Sequence, residues 1–250
     1  MTNNIALIIQ ARVGSTRLPH KILIPFFQRQ TILSIVVEKL LSVSDNVIIA
    51  TSLAPQDDAI EKEAQKLSVS CFRGSETDVL NRFIGAAEAY AFDKMIRVCA
   101  DNPFLDVDSL KQLLAAAEGS SSDYISFKID GKPSILTHFG FWAEFVTLKT
   151  LKHITALTDE NLYHEHVTNY IYNHPNLFDI QWLDAPQCVH GRKNIRLTID
   201  TQSDFDNAQQ IYAALGGNHE KVSIPKIIAY LDANPGYYIK MKAEITNNQK

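Results

Sequence analysis

Four times in the first 117 residues a short apolar run leads into a segment whose apolar residues recur at helical spacing. Residues 5–9 (IALII), 47–51, 69–72 and 94–99 read as strands. The first is apolar without interruption, as expected for a central strand covered on both faces. Helices are expected at 31–43, with Thr31 as N-cap, at 56–67, at 77–91, and from Asp106 or Asp108 to about residue 117. Strand and helix in regular succession predict an α/β fold: a mixed, mostly parallel sheet with helices on both faces.

The regularity breaks after Ser120. A serine-rich turn, short strands at 124–127 and 135–141, two helices and a strand at 178–183 form a mixed α/β excursion over about 120–185, expected to build the second wall of a cleft. Strand character resumes at 194–199, and helices follow at 203–215 and 225–232. The polar stretch 242–250 is expected to fray. All of it, 1–250, is taken as a single domain.

Charge and cysteine content narrow the classes. The formal net charge of −4 argues against a general nucleic-acid binder. The basic residues cluster, however: Arg12, Arg17 and Lys21 in one place, Arg192, Lys193 and Arg196 in another, which suits small anionic ligands. Cys71, Cys99 and Cys188 are few and scattered, so no disulfide framework or zinc knuckle is indicated. No run approaches a signal-peptide core or a membrane span, and a cytoplasmic protein with no membrane partner is expected.

Ligands of open α/β sheets bind at the carboxyl ends of strands, which directs attention to the loops there. The loop after the first strand, residues 10–21, lets backbone approach a ligand at Gly14 and Ser15, and supplies charged donors at Arg12, Arg17 and Lys21. It is neither a Walker loop nor a dinucleotide fingerprint; a solvated basic loop is the alternative reading. Asp101 ends the strand 94–99 and Asp200 ends 194–199. Two strand-end carboxylates opposite a basic glycine loop suit Mg²⁺ held against a phosphate. Either aspartate could instead be a turn former. Asp204 is explained by the helix dipole.

Other patterns carry less. Asp106-Val-Asp108 matches a DxD literally but stands where a helix needs a cap. His164 and His166 do not share a helix face, so a zinc site with Cys188 and His190 is a poor chelate. His138, His153, His174 and His219 have no partner pattern. Trp142, beside Phe139 and Phe141, is expected in the core before a sugar-stacking role.

Five segments together resemble the cytidylyltransferase superfamily, in its SpsF-like spore-coat polysaccharide branch, related to CMP-KDO and CMP-sialate synthetases. They are IIQARVGSTRLPHKIL (8–23), FRGSETDVLNRF (72–83), RVCADNPFLD (97–106), HEHVTNYIYNHP (164–175) and IRLTIDTQSDF (195–205). The resemblance implies a Rossmann-like nucleotidyltransferase (GT-A-type) fold, a homodimer, and transfer of CMP from CTP to a sugar or sugar acid with Mg²⁺. Matching positions make Arg12, Arg17, Lys21 and Asp101 catalytic, and place Asp101 and Asp200 on the metal. Ala11, Arg12, Gly14, Ser15 and Lys21 would bind nucleotide, with Gly74, Ser75, Asp78 and Arg82 near it. Glu144, Glu165, His166 and Arg196 are assigned to the acceptor side, with Glu165 and His166 near the acceptor or the dimer interface. His20 replaces a family glycine, Asn102 and Phe104 alter the strand-end pattern, and 134–142 fits poorly. A GT-A-type glycosyltransferase and a non-catalytic nucleotide-binding subunit are the competing readings.

Overall fold

The computed structural model describes residues 4–217 and 222–247; His219 lies outside them. The strands are β1 (Ile5–Gln10), β2 (Pro25–Phe27), β3 (Gln30–Thr31), β4 (Val47–Ser52), β5 (Ser70–Gly74), β6 (Lys94–Cys99), β7 (Tyr124–Ile129), β8 (Lys132–Pro133), β9 (Glu144–Thr147) and β10 (Ile180–Asp184). The helices are α1 (Ile32–Leu41), α2 (Asp58–Lys66), α3 (Val79–Ala89), α4 (Val107–Ala117), α5 (Leu148–Leu157), α6 (Asn161–Glu165), α7 (Asn169–Asn173), α8 (Gln202–Ala214), α9 (Ile224–Ala233) and α10 (Gly236–Asn247).

One sheet runs in the order β10-β7-β9-β6-β1-β4-β5, with β8 paired to β7, and β2-β3 form a separate ribbon. Strands β6, β1, β4 and β5 are parallel, and β9 enters antiparallel between β6 and β7. The sheet is therefore the mixed, mostly parallel one expected. Its pleat sorts side chains between two cores. Leu7, Ile9, Ile49 and Val98 pack in one, with α1, α4, α8 and α9. Ala6, Ile8, Ile48 and Met95 pack in the other, with α3 and α5. Ile8 and Leu7 are both fully buried, which is what an uninterrupted apolar strand requires.

Helix starts follow local chemistry. Thr31 caps α1 in a reciprocal box with Ser34. Asp106 caps α4, accepting from Ser109 N at 2.9 Å and Ser109 Oγ at 2.7 Å. That bonding explains the DxD as a helix start.

Three expectations fail. Residues 135–141 form no strand: Gly140 has φ +68, and Phe139, Phe141 and Trp142 fold onto one another with ring centroids 5.2 to 5.7 Å apart. The strand is displaced to β9. Residues 194–199 also form none, because Leu197 N and Thr198 N both bond His138 O, at 2.8 and 3.2 Å, away from the sheet. The tail does not fray at 242: α10 continues to Asn247, anchored by buried Met241.

Candidate active site

Register places the site. Gln10 at the end of β1 pairs with Cys99 at the end of β6, so the loops beginning at Ala11 and Ala100 leave the sheet side by side. Ala11 N continues the sheet pattern to Ala50 O at 3.2 Å, and its side chain is buried. Ala11, expected to bind nucleotide, therefore offers no free amide. The loop beyond is held by Asp57, a buried carboxylate that accepts Val13 N at 2.8 Å, Ser52 N at 3.3 Å and Ser52 Oγ. Sequence reading missed Asp57 because it lies 44 positions from the backbone it fixes.

The loop carries Lys21 back over the strand ends. Lys21 Nζ donates to Asp101 Oδ2 at 2.6 Å and to Ile199 O, and lies 3.8 Å from Asp200 Oδ1. Arg17 reaches Asp200 Oδ1 at 3.1 Å. The two candidate metal aspartates thus meet around one cation, 80 and 179 residues along the chain from it. Their hard oxygens are of the type Mg²⁺ takes. Among the described residues no three histidine, cysteine or acidic side chains cluster to hold a metal, which leaves the His164–His166–Cys188–His190 zinc idea without support.

Two clefts adjoin at Cys99, Asp101 and Asp200. One is lined by Arg12, Gly14, Ser15, Arg17 and Lys21, the phosphate-side residues expected. The other, of about 450 Å³, is lined by Asn102, Thr137, Trp142, His166, Thr168 and Tyr172. That volume suits a small ligand. Trp142 lines it while packing against Phe127, Phe139 and Phe141.

Gly74, Ser75, Asp78 and Arg82 line neither cleft; they stand beside the phosphate loop, where Glu76 approaches Gly14. Arg82 is buried and donates from Nη1 to Ser75 O at 2.9 Å, while Nε and Nη2 have no partner among the described residues. Burial and the nearby Arg12 charge pull its pKa down to about 10, against Asp57, Glu76 and Asp78. Gly74 is needed here: a Cβ would sit 3.0 Å from both Arg82 Cγ and a Phe72 ring carbon. Asp78 caps α3 and binds His164 Nδ1 at 2.9 Å.

Two acceptor-side expectations are corrected. Glu144 does not face the cleft. It is 2% exposed, paired with Arg97 Nη1 at 2.5 Å, and accepts from Tyr124 OH and from Thr168 Oγ1 at 3.1 Å. Burial and this carboxylate push the Tyr124 phenol pKa well up, keeping it a donor. Arg196 is likewise consumed: Nε and Nη2 grip Asp204 at 2.8 and 2.9 Å, Nη2 reaches Asp200 at 2.8 Å, and Nη1 donates to His138 Nδ1. Asp204 also accepts Asp200 N at 3.0 Å. It therefore aims Asp200, a role the helix dipole did not suggest. Glu165 stands on the rim, 3.7 Å from Arg12, while His166 lines the acceptor cleft.

A basic glycine loop, the carboxylates of Asp101 and Asp200 around Lys21 and an adjoining cleft define a site for chemistry at a phosphate. A family profile described as cytidylyltransferase matches residues 6–245. The chain belongs to the cytidylyltransferase family. It is 36% identical over 251 residues to the spore coat polysaccharide biosynthesis protein SpsF of Bacillus subtilis, covering 97% of this chain and all of that one. An uncharacterized protein of Methanocaldococcus jannaschii is 37% identical over 232 residues, covering 91% of this chain and 90% of that one. A cytidylyltransferase structure from Leptospira borgpetersenii superposes with TM-score 0.84 at 26% identity, covering 95% and 97% of the two chains. A CMP:2-keto-3-deoxy-manno-octonic acid synthetase solved with CTP shares the fold at TM-score 0.64 and 13% identity, over 84% of this chain and 98% of that one. Within the cytidylyltransferase frame, His20 keeps the glycine-type turn: its φ is +59, and its carbonyl accepts Leu23 N at 2.8 Å.

Proposed function

We propose that this cytidylyltransferase moves CMP from CTP to a hydroxyl of a sugar or sugar acid, releasing pyrophosphate, for surface polysaccharide synthesis. The observation that carries the reading is Lys21 between Asp101 and Asp200, at the seam where phosphate-side and acceptor-side clefts join. The names of the Bacillus relative and of the CTP-bound structural neighbour support the substrate pair.

Arg12, Arg17, Lys21 and Ser15 would hold the triphosphate, with the α-phosphorus at the seam. A hydroxyl entering past Asn102 and His166 attacks it in line, and the bond to the β-phosphate oxygen breaks. Positioning and charge neutralisation do most of the work in such transfers. Asp101 and Asp200 are the carboxylates within reach of the seam to take the hydroxyl proton. Their oxygens would also hold Mg²⁺, which supplies charge neutralisation on the phosphates and a lowered pKa for the acceptor hydroxyl. Arg12, Arg17 and Lys21 stabilise the leaving pyrophosphate.

The reading includes one domain over 1–250, acting in the cytoplasm as a homodimer. Among the described residues no helix is long and apolar enough to cross a membrane. Leu162 and Leu177, both in the excursion 120–185, are each half exposed and offer apolar surface to a second copy.

A thermal-shift panel of CTP, UTP, ATP, GTP and dTTP, with and without Mg²⁺, tests the reading. Native-state binding raises apparent stability by mass action. The expected result is a selective, Mg²⁺-dependent rise with CTP. A rise with another nucleotide overturns the base assignment, and no rise with any returns the non-catalytic subunit.

A further inference from the structure

Gln10, Arg97 and Glu144 lie on one face of three adjacent strands. Arg97 on β6 pairs in register with Glu144 on antiparallel β9, and Gln10 ends β1 on the other side. Arg97 is buried and spends all three nitrogens: Nη1 on Glu144, Nε and Nη2 on Gln10 Oε1 at 3.1 and 2.8 Å. Two donors on one amide oxygen fix the Gln10 amide, because the flipped arrangement would set its NH₂ against the guanidinium N–H groups. Its Nε2 must then point away from Arg97. Among the described residues Nε2 has no hydrogen-bond partner, and it is not sealed in the interior. Gln10 lines the phosphate-side cleft with Arg12 and Asp101, and it pairs in register with Cys99, which lines both clefts.

We propose that Gln10 Nε2 is a substrate-contacting donor, hydrogen-bonded to an α-phosphoryl oxygen of the bound nucleoside triphosphate. Arg97 and Glu144 are its positioning residues. This gives the buried ion pair a role: Arg97, in the wall of the acceptor cleft, and Glu144 behind it hold a neutral donor in one orientation, so no reorganisation is needed as charge builds on the phosphoryl group. A donor at the reacting phosphorus, rather than at the outer phosphates, acts on the transition state more than on ground-state binding. The inference rests on the nucleotidyltransferase reading above but not on cytosine as the base.

The test compares wild type with Gln10→Glu and Gln10→Met in the full chain. Pyrophosphate release gives kcat and KM, calorimetry gives CTP affinity with Mg²⁺, and melting temperature reports the fold. Gln10→Glu keeps both acceptor contacts to Arg97 and loses the donor; Gln10→Met is neutral and loses both. The proposal expects both variants to lose about tenfold or more in kcat, with a smaller change in KM for CTP; the melting temperature stays near wild type in Gln10→Glu and falls in Gln10→Met, where two Arg97 donors lose their acceptor. Wild-type kcat in Gln10→Glu overturns it, because Gln10 would then serve Arg97 alone. Wild-type kcat in Gln10→Met overturns it outright. Should wild type bind and turn over a different nucleoside triphosphate, the base assignment fails, and the same comparison with that nucleotide decides Gln10. Wild type binding no triphosphate at all overturns both.

Discussion

Asp57 accepts the Val13 amide at 2.8 Å and so ties the phosphate-side loop to the start of α2. The same carboxylate takes Ser52 N and Ser52 Oγ. A buried acceptor with three donors is expensive to remove, since each donor left behind is unsatisfied. Asp57→Ala is predicted to cost about 3 kcal/mol in urea unfolding and to raise KM for CTP more than it lowers kcat, because the loop loses its seat. Unchanged unfolding and unchanged KM would remove Asp57 from the account.

Lys39 supports the opposite strand end. Its ammonium is fully buried and donates to Pro103 O at 2.6 Å and Leu105 O at 2.9 Å, holding the loop that carries Asp101. Burial lowers its pKa to about 7, against the pull of Asp106 and Glu38. The unfolded chain then binds the extra proton between that value and the ordinary lysine range, so this group makes stability rise with pH from about 7 upward. Urea titrations of wild type and Lys39→Met at several pH values are predicted to diverge in favour of wild type as pH climbs from neutral. Parallel curves would show that Lys39 carries no such linkage.

His164 titrates in the opposite sense. Its Nδ1 faces Asp78 Oδ2 at 2.9 Å and its Nε2 faces Thr158 O at 3.0 Å. Both partners only accept, so both ring nitrogens carry protons and the ring is an imidazolium. Burial pulls its pKa down, yet the Asp78 and Thr158 bonds outweigh it and the net shift is upward. A raised histidine pKa adds stability that is full below the unfolded value and is lost as pH passes through the folded one. Wild type is therefore predicted to exceed His164→Ala in stability most clearly in mild acid, with the gap closing toward alkaline pH. A gap that stays constant across that range would contradict the charged ring.

The strand–helix succession was legible because each element announced itself locally: the apolar run of β1, Thr31 before α1, Asp106 before α4. The strand-end rule likewise brought Arg12, Lys21 and Asp101 to one place; Asp200 joins them from a segment outside the sheet. Contacts set by register were not legible. That Glu144 faces Arg97 depends on β9 entering antiparallel beside β6, which no spacing in the sequence states. A polar residue inside the apolar run 94–99 was the available sign of Arg97. Residues 194–199 misled for a related reason: their apolar alternation serves burial against the loop at His138 rather than sheet pairing.

His20 shows a local cost kept by the chain. A non-glycine residue at φ +59 is strained by about 1 kcal/mol or more. Glycine's greater unfolded-state entropy returns part of that. His20→Gly is predicted to stabilise by about 0.5 kcal/mol without changing turnover, read by denaturant melts and by kcat. Destabilisation, or loss of turnover, would give the His20 side chain a role that its exposed position does not suggest.

Pyrophosphate release from CTP, with Mg²⁺ and a panel of sugars and sugar acids, tests the central claim most directly when wild type is run beside Asp101→Asn. The account predicts acceptor-dependent release by wild type, and a fall of about a thousandfold in the variant at a near-unchanged melting temperature. Equal release by the two proteins would contradict it.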